Sequence, residues 1–370
     1  MSAVSSADVP DDVAAREAAA ATANPGRWRA VAVTSLANVV DNTEGGLINT
    51  LFPVIRTALN LDLGALGVLT SISKFARMIA GPFWSVLADK YGRKRVLAFV
   101  TGVWSIWTIL TGLAQNYAQL LILYSIAVVG TVAAEPIING MMVDLFEDEE
   151  RGKAYGAVRS LAGLGGLLLT PLIGQLSKVE QGWRIGLFIM GGIGVVTGVL
   201  VLLFVREPVR RATTGASAEG TFNLAEVRAI MKSPTVLLLI GSLVFITSLV
   251  LFAFFVTYYV EVRGWSTADA ALLYTVFLGG FMLSSLIGGT LGDWFDRRFG
   301  PRGRIMLMQL YLVVFAVMSF VALQIDWGHG LLLYVVLFFF GLVAAIGFSG
   351  AVLPMVAAVV PAELSATAFA

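Results

Sequence analysis

The sequence predicts an all-α, polytopic membrane protein of about ten transmembrane helices, and three observations predict it. Of the 370 residues, 58% are hydrophobic and only 13% charged, where a water-soluble chain carries about 25% charged residues. Mean hydropathy is +0.84. The apolar residues fall in runs of about 20, the length that crosses a bilayer as a helix. These runs place helices near 30–55, 66–88, 96–115, 119–144, 154–177, 185–205, 235–260, 268–292, 305–325 and 331–359.

The first 26 residues are polar, Ala-rich and mixed in charge, without the apolar segment of a signal peptide, so 1–28 reads as a cytoplasmic tail. The long polar connection from Arg206 into 234 separates an N-terminal six-helix bundle, 29–205, from a C-terminal bundle, 235–370, with 206–234 as a cytoplasmic central loop. With the amino terminus inside, eighteen Lys and Arg residues fall on the cytoplasmic side and four, Arg56, Lys178, Arg184 and Arg263, on the other. That asymmetry follows the positive-inside rule and sets the orientation; the expected location is a plasma (inner) membrane.

Composition also excludes classes. There is no Cys, and His329 is the single His, so disulfides, thiol catalysis, metal centres and triad chemistry are not expected. No Gly-x-x-x-x-Gly-Lys-[Ser/Thr] phosphate loop occurs. A net charge of +1, spread over short islands, does not suit nucleic acid. The expected partners are a small-molecule substrate and the lipid bilayer, with no cofactor and no enzyme activity, and the chain is expected to act as a monomer.

The island from Ser85 to Arg95, SVLADKYGRKR, is first a topology anchor, but its Asp and Gly recur. GGTLGDWFDRRFGPRGR, Gly288 to Arg304, repeats a small residue four before an Asp, a Leu two before it, and basic residues around a Gly, 204 residues after Asp89. A weaker pair is EERGKAYG at Glu149 and ELSATAFA at Glu363. The halves therefore read as repeats. Asp89 at a helix carboxyl end opposes the negative end of the dipole and needs a cation or a helix amino terminus nearby.

A duplicated six-helix unit with this loop between helices two and three resembles the major facilitator superfamily (MFS) of secondary transporters. Leu87, Ala88, Asp89, Gly92, Arg93 and Lys94 match its Gly-x-Leu-Ala-Asp-Arg-x-Gly-Arg-Lys signature, while Lys90 replaces an Arg and Ser85 the first Gly. Asp144-Leu145-Phe146 with Arg151-Gly152, and Arg206-Glu207-Pro208, extend the match. The resemblance implies two six-helix repeats and makes Asp89, Gly92, Arg93, Lys94, Asp144, Arg151 and Asp293 a gate. It also implies that helices eleven and twelve would follow Ala370, leaving the second repeat truncated. Both the drug/proton antiporter branch and the Spinster branch fit, although Thr131 stands where the Spinster-type fourth helix carries Glu.

Charges at bilayer depth cost about 2.5–3.5 kcal/mol each on insertion scales and so mark function or pairing. Thr34, Asn38, Asp41, Gly45 and Asn49 share one stripe of the first helix, with Glu44 beside it, and Thr70, Lys74, Arg77, Gly81 and Ser85 share one of the second. At matched depth, Asp41 and Glu44 are expected to pair with Lys74 and Arg77. Glu135 and Arg159 add charges in the fourth and fifth helices.

A carboxylate that takes up and releases a proton is what proton coupling needs; the order of candidates is Asp41, Glu135, Glu44, with Arg77 before Lys74 as the opposing cation. The same charges also suit purely structural ion pairs. Gly166, Pro171 and Gly174 of the fifth helix resemble the Gly-Pro run of antiporters in this superfamily, and equally suit close helix packing. A charged first half facing an aromatic second half, with Phe252, Phe254, Phe255, Tyr258 and Tyr259 in the seventh helix, suits an amphipathic compound. The expected function is proton-coupled export of such a compound. Uptake of an organic anion on Arg77 and Lys74, and a transport-inactive scaffold, are the alternatives.

Overall fold

The computed structural model describes residues 26–146, 148–207, 250–352 and 354–355. The expected tail, most of the central loop, the start of the seventh helix and the segment holding Glu363 lie outside these residues. The described chain forms ten helical rods and, among the described residues, no strand.

In the first half these rods are α1 (Arg27–Leu59), α2 (Gly64–Tyr91), α3 (Arg93–Ala98 continuing into Ser105–Thr111), α4 (Tyr117–Thr131 and Ala134–Leu145), α5 (Asp148–Gln175) and α6 (Gly182–Phe204). The second half has α7 (Val250–Glu261), α8 (Thr267–Phe299), α9 (Gly303–Gln324) and α10 (Leu331–Ala344, extended by a wide turn at Phe348–Val352). Six of the rods, α4, α5, α6, α8, α9 and α10, are long and apolar enough to cross a membrane by length and composition alone. α1, at 33 residues, extends about 50 Å but carries Asp41 and Glu44, which lower its hydropathy.

Local chemistry sets the ends. α2 stops at Gly92, whose φ of +100° is open to glycine and strained for other residues, and the chain turns into α3 without a loop. Asn116 accepts the Gln119 N–H at 3.0 Å to start α4, and Ser266 accepts the Asp269 N–H at 3.1 Å to start α8.

Three rods depart from the straight helices expected. α3 contains a π turn at Phe99–Val103, closed by the Trp104 N–H on the Phe99 carbonyl at 3.0 Å. α4 breaks at Val132–Ala133, as α10 breaks at Ala345, so each half interrupts its fourth helix. α8 also runs past its expected end to Phe299, which puts Asp293, Arg297 and Arg298 inside the helix and moves the turn to Gly300–Arg302.

Each half has its own apolar core. The first gathers Leu47, Phe52, Leu97, Phe146 and Trp183; the second gathers Phe255, Phe277, Phe315, Leu337 and Phe340. Within the second, α8 and α10 cross with backbones touching: a Cβ on Gly280 would lie 2.1 Å from the Phe338 carbonyl oxygen, and one on Gly341 2.0 Å from that of Phe277. Between halves, α5 packs on α8 through Gly174 and Ala271, and Arg56 of α1 pairs with Glu261 of α7 at 2.5 Å.

Candidate functional site: a charged cavity between the halves

A cavity of about 280 Å³ lies between the halves. α1 presents Asp41, Asn42, Gly45, Gly46 and Asn49 to it, and α2 presents Thr70, Ser73, Lys74 and Arg77. Tyr124, Thr131 and Val132 close one side from α4, while Phe252 and Ala253 of α7 and Tyr274 of α8 form the opposite wall. The three-to-four spacing of Asp41, Gly45 and Asn49 directs them the same way. Gly45 and Gly46 face open space, since a Cβ on either would meet nothing within 4 Å.

Asp41 is 6% exposed, and its Oδ2 has no hydrogen-bond partner among the described residues. The ion pairs expected between α1 and α2 do not form. Arg77 instead gives Nη1 to Glu135 of α4 at 3.2 Å. Glu44 turns to α3, where Thr108 Oγ1 donates to its Oε2 at 2.9 Å and Ser105 Oγ lies 3.3 Å from its Oε1. The reason is angular: three residues after Asp41, Glu44 sits about 60° round the helix, on the face that packs against α3. Lys74 lines the cavity with no ion pair among the described residues.

Two further candidates are placed elsewhere. Asn38 turns to Asn42, which donates from Nδ2 to its carbonyl oxygen at 2.8 Å and to its Oδ1. Arg159 is exposed on α5 and is not among the residues lining the cavity, because its face of α5 is turned from α1. The second-half aromatics divide: Phe252 reaches the cavity, whereas Phe255 and Tyr259 are core, and Tyr258 donates to the Leu323 carbonyl.

The motif residues at the ends of α2 and α4 converge. Arg93 Nε donates to Asp89 Oδ1 at 3.0 Å and Nη1 to Asp144 Oδ2 at 2.8 Å, tying the end of α2 to the end of α4. The Lys94 N–H donates to Glu207 Oε1 at 3.3 Å, and a Cβ on Gly92 would come within 3.1 Å of that carboxylate. Arg151 is in α5, with its side chain outside the described residues.

In the second half Arg304, not Arg297, takes the central place. It donates to Asp293 Oδ1 at 3.1 Å, to Asp296, and to the Gly350 carbonyl of α10 at 3.2 Å. Arg297 Nε donates to the Asp293 backbone oxygen at 3.2 Å.

Sequence reasoning missed Ser105, Thr108, Tyr124 and Tyr274, and named Glu207 and Arg304 only as parts of matched motifs, without their partners. Hydroxyls three apart in an apolar helix, Ser105 and Thr108, were the available signal for the first two.

Two helical halves around a charged cavity, with matched charge clusters at the ends of α2 and α8, define an integral, multi-pass membrane protein of repeat architecture. The sequence model of the Major Facilitator Superfamily matches residues 34–370, and the chain belongs to that family. It is 30% identical over 286 residues to the multidrug resistance protein MdtG of Serratia proteamaculans (strain 568), covering 72% of this chain and 64% of that protein. The chain thus spans just under two thirds of that relative. To the hexuronate transporter of Bacillus subtilis (strain 168) it is 25% identical over 289 residues, covering 75% and 67%. In fold it matches a bacterial homologue of the human lysosomal transporter Spinster, crystallised inward-facing and unoccupied. The TM-score is 0.76 at 19% identity, over 94% of this chain and 78% of that one.

Proposed function

We propose that this chain works as a secondary transporter by alternating access, coupled to protons, and exports a small amphipathic compound across a plasma (inner) membrane with its amino terminus in the cytoplasm. The observation that carries the reading is Asp41: a buried carboxylate lining the cavity between the halves, with one oxygen that has no hydrogen-bond partner among the described residues. A carboxylate there can exchange a proton with whichever side the cavity faces as the halves rock. The aromatic wall of Phe252 and Tyr274 offers the apolar part of a substrate its surface. Similarity to proteins named for multidrug resistance supports export.

A second reading, uptake of an organic anion with a proton, is favoured by Lys74, a cavity cation with no ion pair among the described residues. Proteoliposomes holding the full chain under an imposed proton gradient separate the two. Ethidium moving against the proton flow supports export, and glucuronate accumulating with it supports uptake. Under either, Asp41→Asn abolishes gradient-driven movement. Full transport by that variant removes Asp41 as the coupling site, and no movement of either probe by the wild type favours a scaffold.

A further inference from the structure

The cavity between the halves is lined by two opposite charges that the described residues leave unmatched. Asp41 of α1 is buried, and its Oδ2 has no hydrogen-bond partner among those residues. Lys74 of α2 is exposed and forms no ion pair among them, with Asp41 or with any other carboxylate. The third charge of the lining, Arg77, is engaged by Glu135 at 3.2 Å. Glu44 does not line this space and accepts from Thr108 instead.

These charges restrict what can enter. A ligand that is only a cation meets Asp41 favourably but is repelled by Lys74, and one that is only an anion meets Lys74 favourably but is repelled by Asp41. A ligand with one charge of each sign satisfies both. The two ends are unequal, because a buried carboxylate gains more from a counter-ion than an exposed, hydrated ammonium does.

The uncharged lining sets the shape. Phe252 of α7 and Tyr274 of α8 both pack on Phe277, with ring centroids 4.7 and 6.1 Å away. Phe277 is wholly buried, so the two rings have a fixed backing. On α1, Gly45 and Gly46 put no side chain into the space, and a Cβ on either would meet nothing within 4 Å. Rings on one side and bare backbone on the other suit a flat group, which stacks on aromatic faces. The volume of about 280 Å³ is at the small end for ligand pockets.

We infer that this cavity takes a small zwitterion built on a flat ring, with its ammonium at Asp41, its carboxylate at Lys74, and its ring between Gly45–Gly46 and the wall of Phe252 and Tyr274. The ammonium and a proton then exclude each other at Asp41. As the ligand enters from the cytoplasm, the proton leaves Asp41 for cytoplasmic water, which is the exchange that proton-driven export needs. That consequence rests on the proton-coupled export reading above; the binding itself does not.

Calorimetric titration of the full chain in detergent tests the binding with four probes of similar size. Para-(aminomethyl)benzoate carries both charges on a flat ring, para-toluate only the anion, and para-methylbenzylamine only the cation; tranexamate carries both charges on a puckered ring. Para-(aminomethyl)benzoate is expected to bind at least tenfold tighter than para-toluate and at least threefold tighter than the other two. Asp41→Asn is expected to abolish its advantage over para-toluate, and Lys74→Gln its advantage over para-methylbenzylamine. Arg159→Gln, which removes an exposed charge outside the cavity, should leave all four affinities unchanged.

Equal binding of para-methylbenzylamine or para-toluate by the wild type overturns the zwitterion, and equal binding of tranexamate overturns the flat slot. No binding of any probe overturns the inference as a whole, as does a preference that survives both Asp41→Asn and Lys74→Gln. These affinities are read without a gradient, so gradient-driven transport by the wild type and Asp41→Asn judges the proton-coupled reading separately.

Discussion

Arg77 of α2 gives its Nη1 to Glu135 of α4 at 3.2 Å, and so takes from Asp41 the cation that helix spacing alone puts opposite it. Both side chains are about half exposed, and ion pairs in that setting contribute roughly 0–1 kcal/mol. Glu135→Gln is therefore expected to shift thermal unfolding by no more than about 1 kcal/mol. It also releases a guanidinium toward the cavity. If the cavity takes anions, calorimetric titration shows glucuronate binding severalfold tighter in this variant and weaker in Arg77→Gln; unchanged affinity in both sets Arg77 outside the site.

Arg304 is expected to matter more than Arg297. Its guanidinium joins two carboxylates of α8 to a carbonyl of α10, and hydrogen bonds to charged groups contribute about 1.5–3 kcal/mol, less where exposed. Arg304→Ala should lower unfolding stability by about 1 kcal/mol or more. Arg297→Ala, which loses a bond to its own helix, should stay within about 0.5 kcal/mol. Equal effects would mean that the cluster at Asp293 does not hold α8 to α10.

That contrast shows where the sequence stops being legible. The repeat is visible at Asp89 and Asp293, 204 residues apart, but Arg93 and Arg304 are 211 apart, because α8 runs on past Asp293 and turns only at Gly300. A matched motif fixes neither where a helix ends nor which Arg folds back. The stripe of α1 was readable for Asp41, Gly45 and Asn49, since periodicity decides direction. Glu44 was not, because its partners stand just beyond a π turn in α3, and a wider turn re-aims the hydroxyls that follow it. The cluster of Asp89, Arg93 and Asp144 was readable because its motif is specific.

The crossing of α8 and α10 depends on missing side chains. A Cβ on Gly341 would stand 2.0 Å from the Phe277 carbonyl oxygen, and backbone cannot move aside as a flexible side chain can. Gly341→Ala is expected to cost about 1–3 kcal/mol, the usual range for overpacking, measured by thermal unfolding in detergent. Gly289→Ala, on the same α8 with nothing within 4 Å of its Cβ, should be neutral or slightly stabilising. A neutral Gly341→Ala would mean that the helices are not in backbone contact.

Arg56 and Glu261 form the one ion pair that joins the two halves among the described residues, at 2.5 Å between the end of α1 and the end of α7. Arg56 is held in place by its own Nε, which donates to the Leu61 carbonyl at 3.2 Å. If the halves rock apart on this side during transport, the pair must open in each cycle. The chain has no Cys, so Arg56→Cys with Glu261→Cys gives a clean pair for a short, reducible thiol cross-linker. Cross-linking is expected to cut proton-driven transport in proteoliposomes at least tenfold and reduction to restore it, while either single Cys variant treated alike retains activity. Transport that survives an intact cross-link would mean that α1 and α7 stay together throughout the cycle, and that the opening on this side lies between other helices.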